Sequence, residues 1–313
     1  MEAQEPASPR VTVLVPVRNG QRWIRESLVS LATQTYRDFE ILLIDDGCTD
    51  SSLEIAESMG IPELRVTKGP EQGLARALSQ GVVESRGSLI ARQDADDISE
   101  PNRLERQVRH LDEHPNCVAV GSWAREISES GTVTGILKAP VNDRAARVRA
   151  LLFSPLIHPS VMMRRSMVLS VGNYQSPGTA PYAEDYDLWS RLLQVGVIHS
   201  LPETLIRYRQ SAMGITTTGA KEIAESSSHI AAANLARSLG SFTPTVQDEM
   251  LLSGFYQRLR DVSISDSLTT VRRLIQARLT FGLRPATHGL PWRAYVAPLL
   301  WVLPSFSTDG ASE

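Results

Sequence analysis

Closely spaced carboxylates carry most of the chemistry this sequence could perform. Asp94-Ala95-Asp96-Asp97 follows directly on a short apolar run, Ser88 to Arg92. If extended geometry persists through it, Asp94 and Asp96 point to one side and face one cavity. Repulsion and desolvation disfavour such a pair, and a hard divalent cation with oxygen ligands, Mg2+ or Mn2+, removes the penalty and can bridge a diphosphate. An isolated D-x-D also reads as a solvated acidic turn; its place at a strand end favours the metal.

A second acidic group lies in Tyr182-Ala183-Glu184-Asp185-Tyr186-Asp187-Leu188-Trp189. On a helix, Asp187 meets Arg191 four residues later and reads as a surface ion-pair partner. Asp185 shares its face with Leu188, Trp189 and Leu192, and is the better general base for an acceptor hydroxyl. The alternative is a helix-start carboxylate satisfied by the dipole. His158 and Trp189 are candidates for acceptor or phosphate contact, although a lone histidine is as often structural. Arg76 and Arg92 could neutralise phosphate, Arg76 being the stronger candidate.

Elements of one kind must position these groups. Apolar runs at Val11–Pro16, Ile41–Ile44, Leu64–Thr67 and Ser88–Arg92 alternate with amphipathic helical stretches, the order of β-α-β units around a buried parallel sheet. The intervening helices fall on Trp23, Ile24, Leu28 and Leu31, on a segment entered through Thr49-Asp50-Ser51, and on Leu74–Glu84. Pro101 suits a helix start, with Leu104, Val108 and Leu111 on one face. Strands are expected at Cys117–Trp123, Thr132–Leu137 and Ser160–Met163, helices at Asn142–Phe153 and Pro181–Val195, and a loop and strand at Val197–Tyr208. Beyond Thr218 the pattern is wholly helical. In such a sheet ligands bind outside the carboxyl ends of the strands, and Pro16–Asn19, Asp45-Asp46-Gly47 and Asp94–Asp97 fall at three of those ends.

Bulk properties narrow the partners. A net charge of −3 provides no basic field for a polyanion, so nucleic acid is not expected. Cys48 and Cys117 are far apart and outside any C-x-x-C spacing, which supports neither a disulfide scaffold nor a zinc cluster. The N-terminus lacks the regions of a secretory signal, and no apolar run reaches the roughly 20 residues a bilayer requires. A cytoplasmic location is expected.

Taken in order, VTVLVPVRNG, DFEILLIDDGCTDSS, LIARQDADDISEPNRLERQV, IHPSVMMRR and AEDYDLWSRL resemble a bacterial family 2 glycosyltransferase over about residues 10–210. The resemblance implies a GT-A fold, an α/β, Rossmann-like, mostly parallel sheet flanked by helices. Residues 1–9 would be a disordered N-terminus, 10–217 the catalytic domain and 218–313 a helical C-terminal extension. It also implies inverting transfer from a nucleotide-diphosphate sugar, UDP-sugar favoured, with Mn2+ or Mg2+. Carried over by position, Pro16 and Asn19 would border the nucleotide, Asp46 would meet the base, and Arg76 the base or phosphates. Asp94 would approach the ribose, Asp96 would bind the metal, Asp185 would be the base, and Glu184 would hold the acceptor or donor sugar. The sequence departs from the pattern at Arg18, where an aromatic is common, and at Gln210-Ser211, where many relatives carry a metal-binding histidine after the Tyr-Arg pair.

The acceptor implied is a glycan or lipid-linked glycan in cell-surface polysaccharide or glycolipid synthesis. The stretch 292–306, WRAYVAPLLWVLPSF, is too short to span but suits a membrane interface, which would place the protein at the inner face of the cell membrane; packing on the catalytic domain is the alternative. Rival functions are a non-catalytic sugar-nucleotide-binding protein and a sugar-phosphate nucleotidyltransferase. The latter wants a glycine-rich basic loop after the first strand, which Val17–Gln21 is not.

Overall fold

Strand β1 (Val11–Val17) is buried at every position, and β2 (Phe39–Asp45) at all but its last. Continuous apolar runs of this kind suit strands covered on both faces. The pleat divides their side chains: Val13, Val15, Ile41 and Leu43 enter one core, Leu14, Leu42 and Ile44 the other. The first core is closed by Ile24, Leu28 and Leu31 of α1 (Ile24–Ala32) and by Ala56 of α2 (Ser52–Ser58). After β3 (Leu64–Lys68), Ala77, Leu78 and Val82 of α3 (Leu74–Glu84) close the second. Each fully buried leucine here contributes roughly 1.5–3 kcal/mol. With β4 (Leu89–Arg92) these strands form a parallel set ordered β3-β2-β1-β4. The order reverses at β1 and β4, so a crevice is expected outside their carboxyl ends.

This computed structural model describes residues 8–175, 182–211 and 219–239. The segment 292–306 and most of the predicted helical extension lie outside the described residues. The second half of the sheet is mixed. It comprises β5 (Ile98–Ser99), β6 (Cys117–Ile127), β7 (Val133–Leu137), β8 (Met162–Arg164) and β9 (Val197–Arg209). Its helices are α4 (Arg103–Glu113), α5 (Asp143–Arg149), α6 (Arg165–Ser170) and α7 (Glu184–Leu192), and α8 (Ala220–Leu239) follows β9. β8 runs antiparallel to both β4 and β6, β9 is parallel to β6, and β5 and β7 pair antiparallel with β9 and β6. Among the described residues no helix is long and apolar enough to cross a membrane.

Several elements differ from the sequence expectation. The helix predicted over Asn142–Phe153 stops at Arg149. Leu151, Leu152 and Phe153 instead pack with Ala231, Ala232 and Leu235 of α8, whose Asn234 Nδ2 donates to the Ala150 carbonyl (2.6 Å) and to Ser190 Oγ (2.9 Å). Helix α7 begins at Glu184, because Tyr182 and Ala183 adopt left-handed φ values of 79° and 68°. Ser160 belongs to a 3-10 turn, His158–Ser160, and the short α6 was not foreseen.

Among the described glycines, Gly87 lies closest to a neighbouring backbone. Its N–H donates to Thr12 Oγ1 (2.9 Å), and a Cβ there would stand 2.5 Å from the Thr12 nitrogen and 2.7 Å from the Val11 carbonyl carbon. Gly87→Ala should therefore destabilise the protein by roughly 1–3 kcal/mol through overpacking. Urea unfolding tests this, and a variant within about 0.5 kcal/mol of wild type would show that the strands yield.

Candidate active site

The loops after β1 and β2 are tied together. Asn19, at a left-handed φ of 56°, accepts the Thr49 N–H on its side-chain oxygen (2.8 Å). Gly20 N donates to Ser52 Oγ (2.8 Å) and Gln21 N to Asp50 Oδ2 (3.0 Å). Pro16 is tolerated inside a central strand because β1 and β4 pair only as far as Leu14 and Arg92, so no β4 carbonyl waits for its missing N–H. Asp46 is 5% exposed; Oδ2 accepts the Gly73 N–H (3.0 Å) at the start of α3, while Oδ1 is buried without a partner. An orphaned acceptor of this kind costs about 1–3 kcal/mol unless a ligand satisfies it. One turn on, Arg76 is exposed and has no ion-pair partner among the described residues.

The carboxylates after β4 converge by a different route from the one expected. The strand ends at Arg92, and Asp94–Asp97 form a tight turn in which Asp97 N donates to Asp94 O (3.2 Å). The strand alternation assumed for Asp94 and Asp96 is thus corrected: the turn brings them together, and adds Asp97. Carboxylate oxygens of all three lie within 4.8 Å of one another. Beneath the turn, fully buried Gln93 donates to Ser27 Oγ (2.7 Å), and fully buried Arg103 donates to the Arg92 carbonyl (2.6 Å). Burial, with a further push from Arg92 and against the opposing pull of Asp97, lowers Arg103 to about 9, where it is still charged at neutral pH.

Arg92 and Arg209 hold this turn from two sides. Arg92 is buried and forms a bidentate pair with Asp94. Arg209, at the end of β9 and 4% exposed, presents its backbone N–H to Asp97 Oδ1 (2.8 Å) and its Nε to the Asp96 carbonyl (2.9 Å). Its remaining donors reach Glu129 O (3.0 Å) and Glu26 (2.6 Å). Arg92, the weaker of the two arginines considered for phosphate, is instead engaged by Asp94. Sequence reading also missed Arg209; its only signal was the Tyr208-Arg209 pair at a strand end. Asp97 Oδ2 is buried without a partner. Burial, then the Asp94 charge, raises Asp96 to about 6, and burial with both neighbours pushes Asp97 well above the carboxylate range.

Glu184 and Asp185 occupy the first turn of α7. Asp185 accepts from Ser154 Oγ (3.0 Å), and burial raises its pKa. Glu184 is 5% exposed and is raised to about 7 by burial and by Asp185. Asp94 acts to raise Glu184, and Arg92 to lower Glu184, Asp185 and Asp96, so the two acidic groups share one electrostatic neighbourhood. His158 stands 3.9 Å from Glu184 Oε1 through Nδ1 and hydrogen-bonds the Tyr174 hydroxyl through Nε2 (2.9 Å). Burial and then Arg92 keep it neutral. Trp189 requires correction as an acceptor or phosphate contact: it is 0% exposed in the second core, edge-on to His158, and has no surface for a ligand. Asp187 pairs with Arg191 (2.6 Å) as expected.

A family model described as Glycosyl transferase family 2 matches residues 12–172. A Haemophilus influenzae protein named an uncharacterized glycosyltransferase is 34% identical over 214 residues, covering 64% of this chain and 65% of its own length. The amylovoran biosynthesis glycosyltransferase AmsE of Erwinia amylovora is 30% identical over 63% of this chain and 75% of its own. Among solved structures, S. aureus TarS 1-349 in complex with UDP-GlcNAc superposes with a TM-score of 0.60 at 16% identity, covering 79% of this chain and 71% of that one. Mannosyltransferase PcManGT from Pyrobaculum calidifontis, in complex with GDP-Man and Mn2+, gives 0.55 at 17% identity over 94% and 85%. These structural likenesses speak for the fold, which is that of GT-A glycosyltransferases. With the family match spanning half its length, the chain belongs to glycosyl transferase family 2.

Proposed function

We propose that this protein transfers a sugar from a nucleotide-diphosphate sugar to an acceptor hydroxyl with inversion, in cell-surface polysaccharide or glycolipid synthesis. The observation that carries this reading is the acidic turn at the end of β4, set beside the Glu184-Asp185 pair through buried Arg92. Relatives support the class: AmsE is named for amylovoran biosynthesis, and TarS and PcManGT were solved with nucleotide sugars.

The donor set fits a hard cation. Three carboxylates within 4.8 Å, one with an orphaned buried oxygen, offer only oxygen ligands, the preference of Mg2+ or Mn2+. Asp96 is the residue proposed to hold it, because Asp94 is engaged by Arg92 and Asp97 by the Arg209 backbone. When bound, the metal offsets negative charge growing on the departing diphosphate. On the nucleotide side, Asp46 offers its free Oδ1 to a base N–H, Pro16 and Asn19 shape the adjoining wall, exposed Arg76 reaches base or phosphate, and Asp94 faces the ribose. Asp185 takes the acceptor proton, its raised pKa bringing it nearer to working pH. Glu184, 3.9 Å from the His158 ring, orients the sugar or acceptor. UDP is the favoured donor nucleotide, and the acceptor is a glycan or lipid-linked glycan; the apolar, aromatic stretch 292–306 would suit contact with the inner membrane face.

Asp185→Asn should lower transfer by about 10²-fold or more while leaving UDP affinity within about twofold. Initial rates and calorimetry decide this, and undiminished transfer would remove Asp185 from the role. Asp96→Asn should weaken Mn2+-dependent UDP binding at least about tenfold, and in the wild type that affinity should rise as pH passes about 6, where Asp96 loses its proton. Affinity flat between pH 5 and 7 would contradict the metal assignment.

Stability should follow the opposite trend at Glu184. The folded protein retains this proton from the ordinary 4.5 up to about 7 while the unfolded chain loses it, so stability falls as pH rises through that window. Glu184→Gln should flatten this segment of the Tm profile and melt higher than wild type at pH 8; a profile superimposable on wild type would refute the buried, proton-retaining carboxyl.

A further inference from the structure

His110 on α4, Cys117 at the start of β6 and His199 near the start of β9 take no part in the site above. One nitrogen of each histidine and the Cys117 sulfur lie within 4.8 Å of one another. The juxtaposition depends on an irregularity in the sheet. The β6–β9 register shifts between Cys117 and Ala119, so Val118 and Ala119 both enter the second core while Cys117 and Val120 enter the first, on the α4 side. His199 pairs with Val120 and His110 stands on α4, so all three converge between helix and sheet.

We propose that His110 Nε2, His199 Nδ1 and Cys117 Sγ bind one zinc-class divalent cation, with solvent as the fourth ligand. The two nitrogens are 3.0 Å apart; on a common tetrahedral Zn2+ with bonds of 2.0–2.1 Å they would be about 3.3 Å apart, so little must move. Burial, reinforced by His114 and His199, lowers His110 to about 4, which leaves its imidazole neutral as a ligand must be. The His199 backbone N–H already reaches the Cys117 sulfur, the kind of outer-shell donor that stabilises a bound thiolate. The thiol, raised to about 11 by burial, now donates to the Ala119 carbonyl (3.2 Å). Metal binding releases that one proton to solvent and replaces the His110–His199 hydrogen bond, and the imidazole that donates it moves its single proton to its other ring nitrogen, so that both facing nitrogens present lone pairs to the ion.

A nitrogen and sulfur donor set selects Zn2+ or Co2+ over the Mg2+ or Mn2+ suited to the acidic turn. The sites are also remote: His199 and Arg209 lie ten positions apart on β9, about 30 Å of strand. The cation would fasten α4 to the β6–β9 pair, and α4 supplies Arg103, which props the acidic turn.

Full-length, chelator-treated protein titrated with Co2+ in excess Mg2+ tests this. One equivalent should produce a thiolate-to-cobalt charge-transfer band, which Zn2+ abolishes. Cys117→Ser should lose the band and Cys48→Ser should keep it; His199→Gln should weaken Co2+ binding at least about tenfold. Zn2+ should raise Tm by about 3 °C or more in wild type and not in Cys117→Ser, with folding of each variant checked by circular dichroism. The wild-type spectrum is decisive even if a variant fails to fold: no band, or a band that survives Cys117→Ser, overturns the proposal.

Discussion

A buried guanidinium organises the acidic end of this sheet. Arg92 is taken out of water at the last residue of β4, where an unpaired charge would cost several kcal/mol, and Asp94 neutralises it through a bidentate pair. That pairing fixes where the chain turns and leaves Asp96 and Asp97 in excess. Across the neighbourhood, Asp96, Asp97, Glu184 and Asp185 all shift toward the protonated form, burial being the first cause in each. Burial disfavours the charged form in all four, and neighbouring carboxylates add to it at Asp96, Asp97 and Glu184, while Arg92 opposes the shift in each. Perturbed carboxyl groups gathered in this way are what a functional site would show.

Rigid support makes this arrangement tenable. The acidic turn sits between a buried polar layer, Gln93 and Arg103, and the end of β9, where Arg209 spends its backbone and side-chain donors on Asp97, Asp96, Glu129 and Glu26. On the other side, two consecutive left-handed residues, Tyr182 and Ala183, swing the chain into α7 so that Glu184 and Asp185 both lie in its first turn. Left-handed backbone at non-glycine positions costs of order 1–3 kcal/mol each, and it persists here because Tyr186, Leu188 and Trp189 are locked into packed surroundings.

Arg209 occupies the strand end whose next positions carry a histidine in many relatives that the sequence resembles. Its contacts secure the backbone of the acidic turn and leave the carboxylate oxygens of Asp96 without a protein cation paired to them among the described residues. The scaffold is therefore tightened at the strand end that Gln210-Ser211 follows.

Strands and helices of the first hundred residues were legible because uninterrupted apolar runs and helical periodicity are local consequences of burial, and the acidic motifs fell at strand ends that topology makes a crevice. Leu74–Glu84 matches its helix end to end, whereas the Asn142–Phe153 helix was overrun by packing of Leu151–Phe153 on a helix some eighty residues later. Trp189 shared a helix face with Asp185 in sequence, yet faced the core. Residue types and spacing by themselves determined the fold class, the strand-end positions and the carboxylates, since those depend on neighbours within a few positions. Only the tertiary structure decided that Asp94 belongs to Arg92, that Arg209 clamps the turn, and that Cys117 meets two histidines, because each depends on desolvation and distance between segments that no local pattern links.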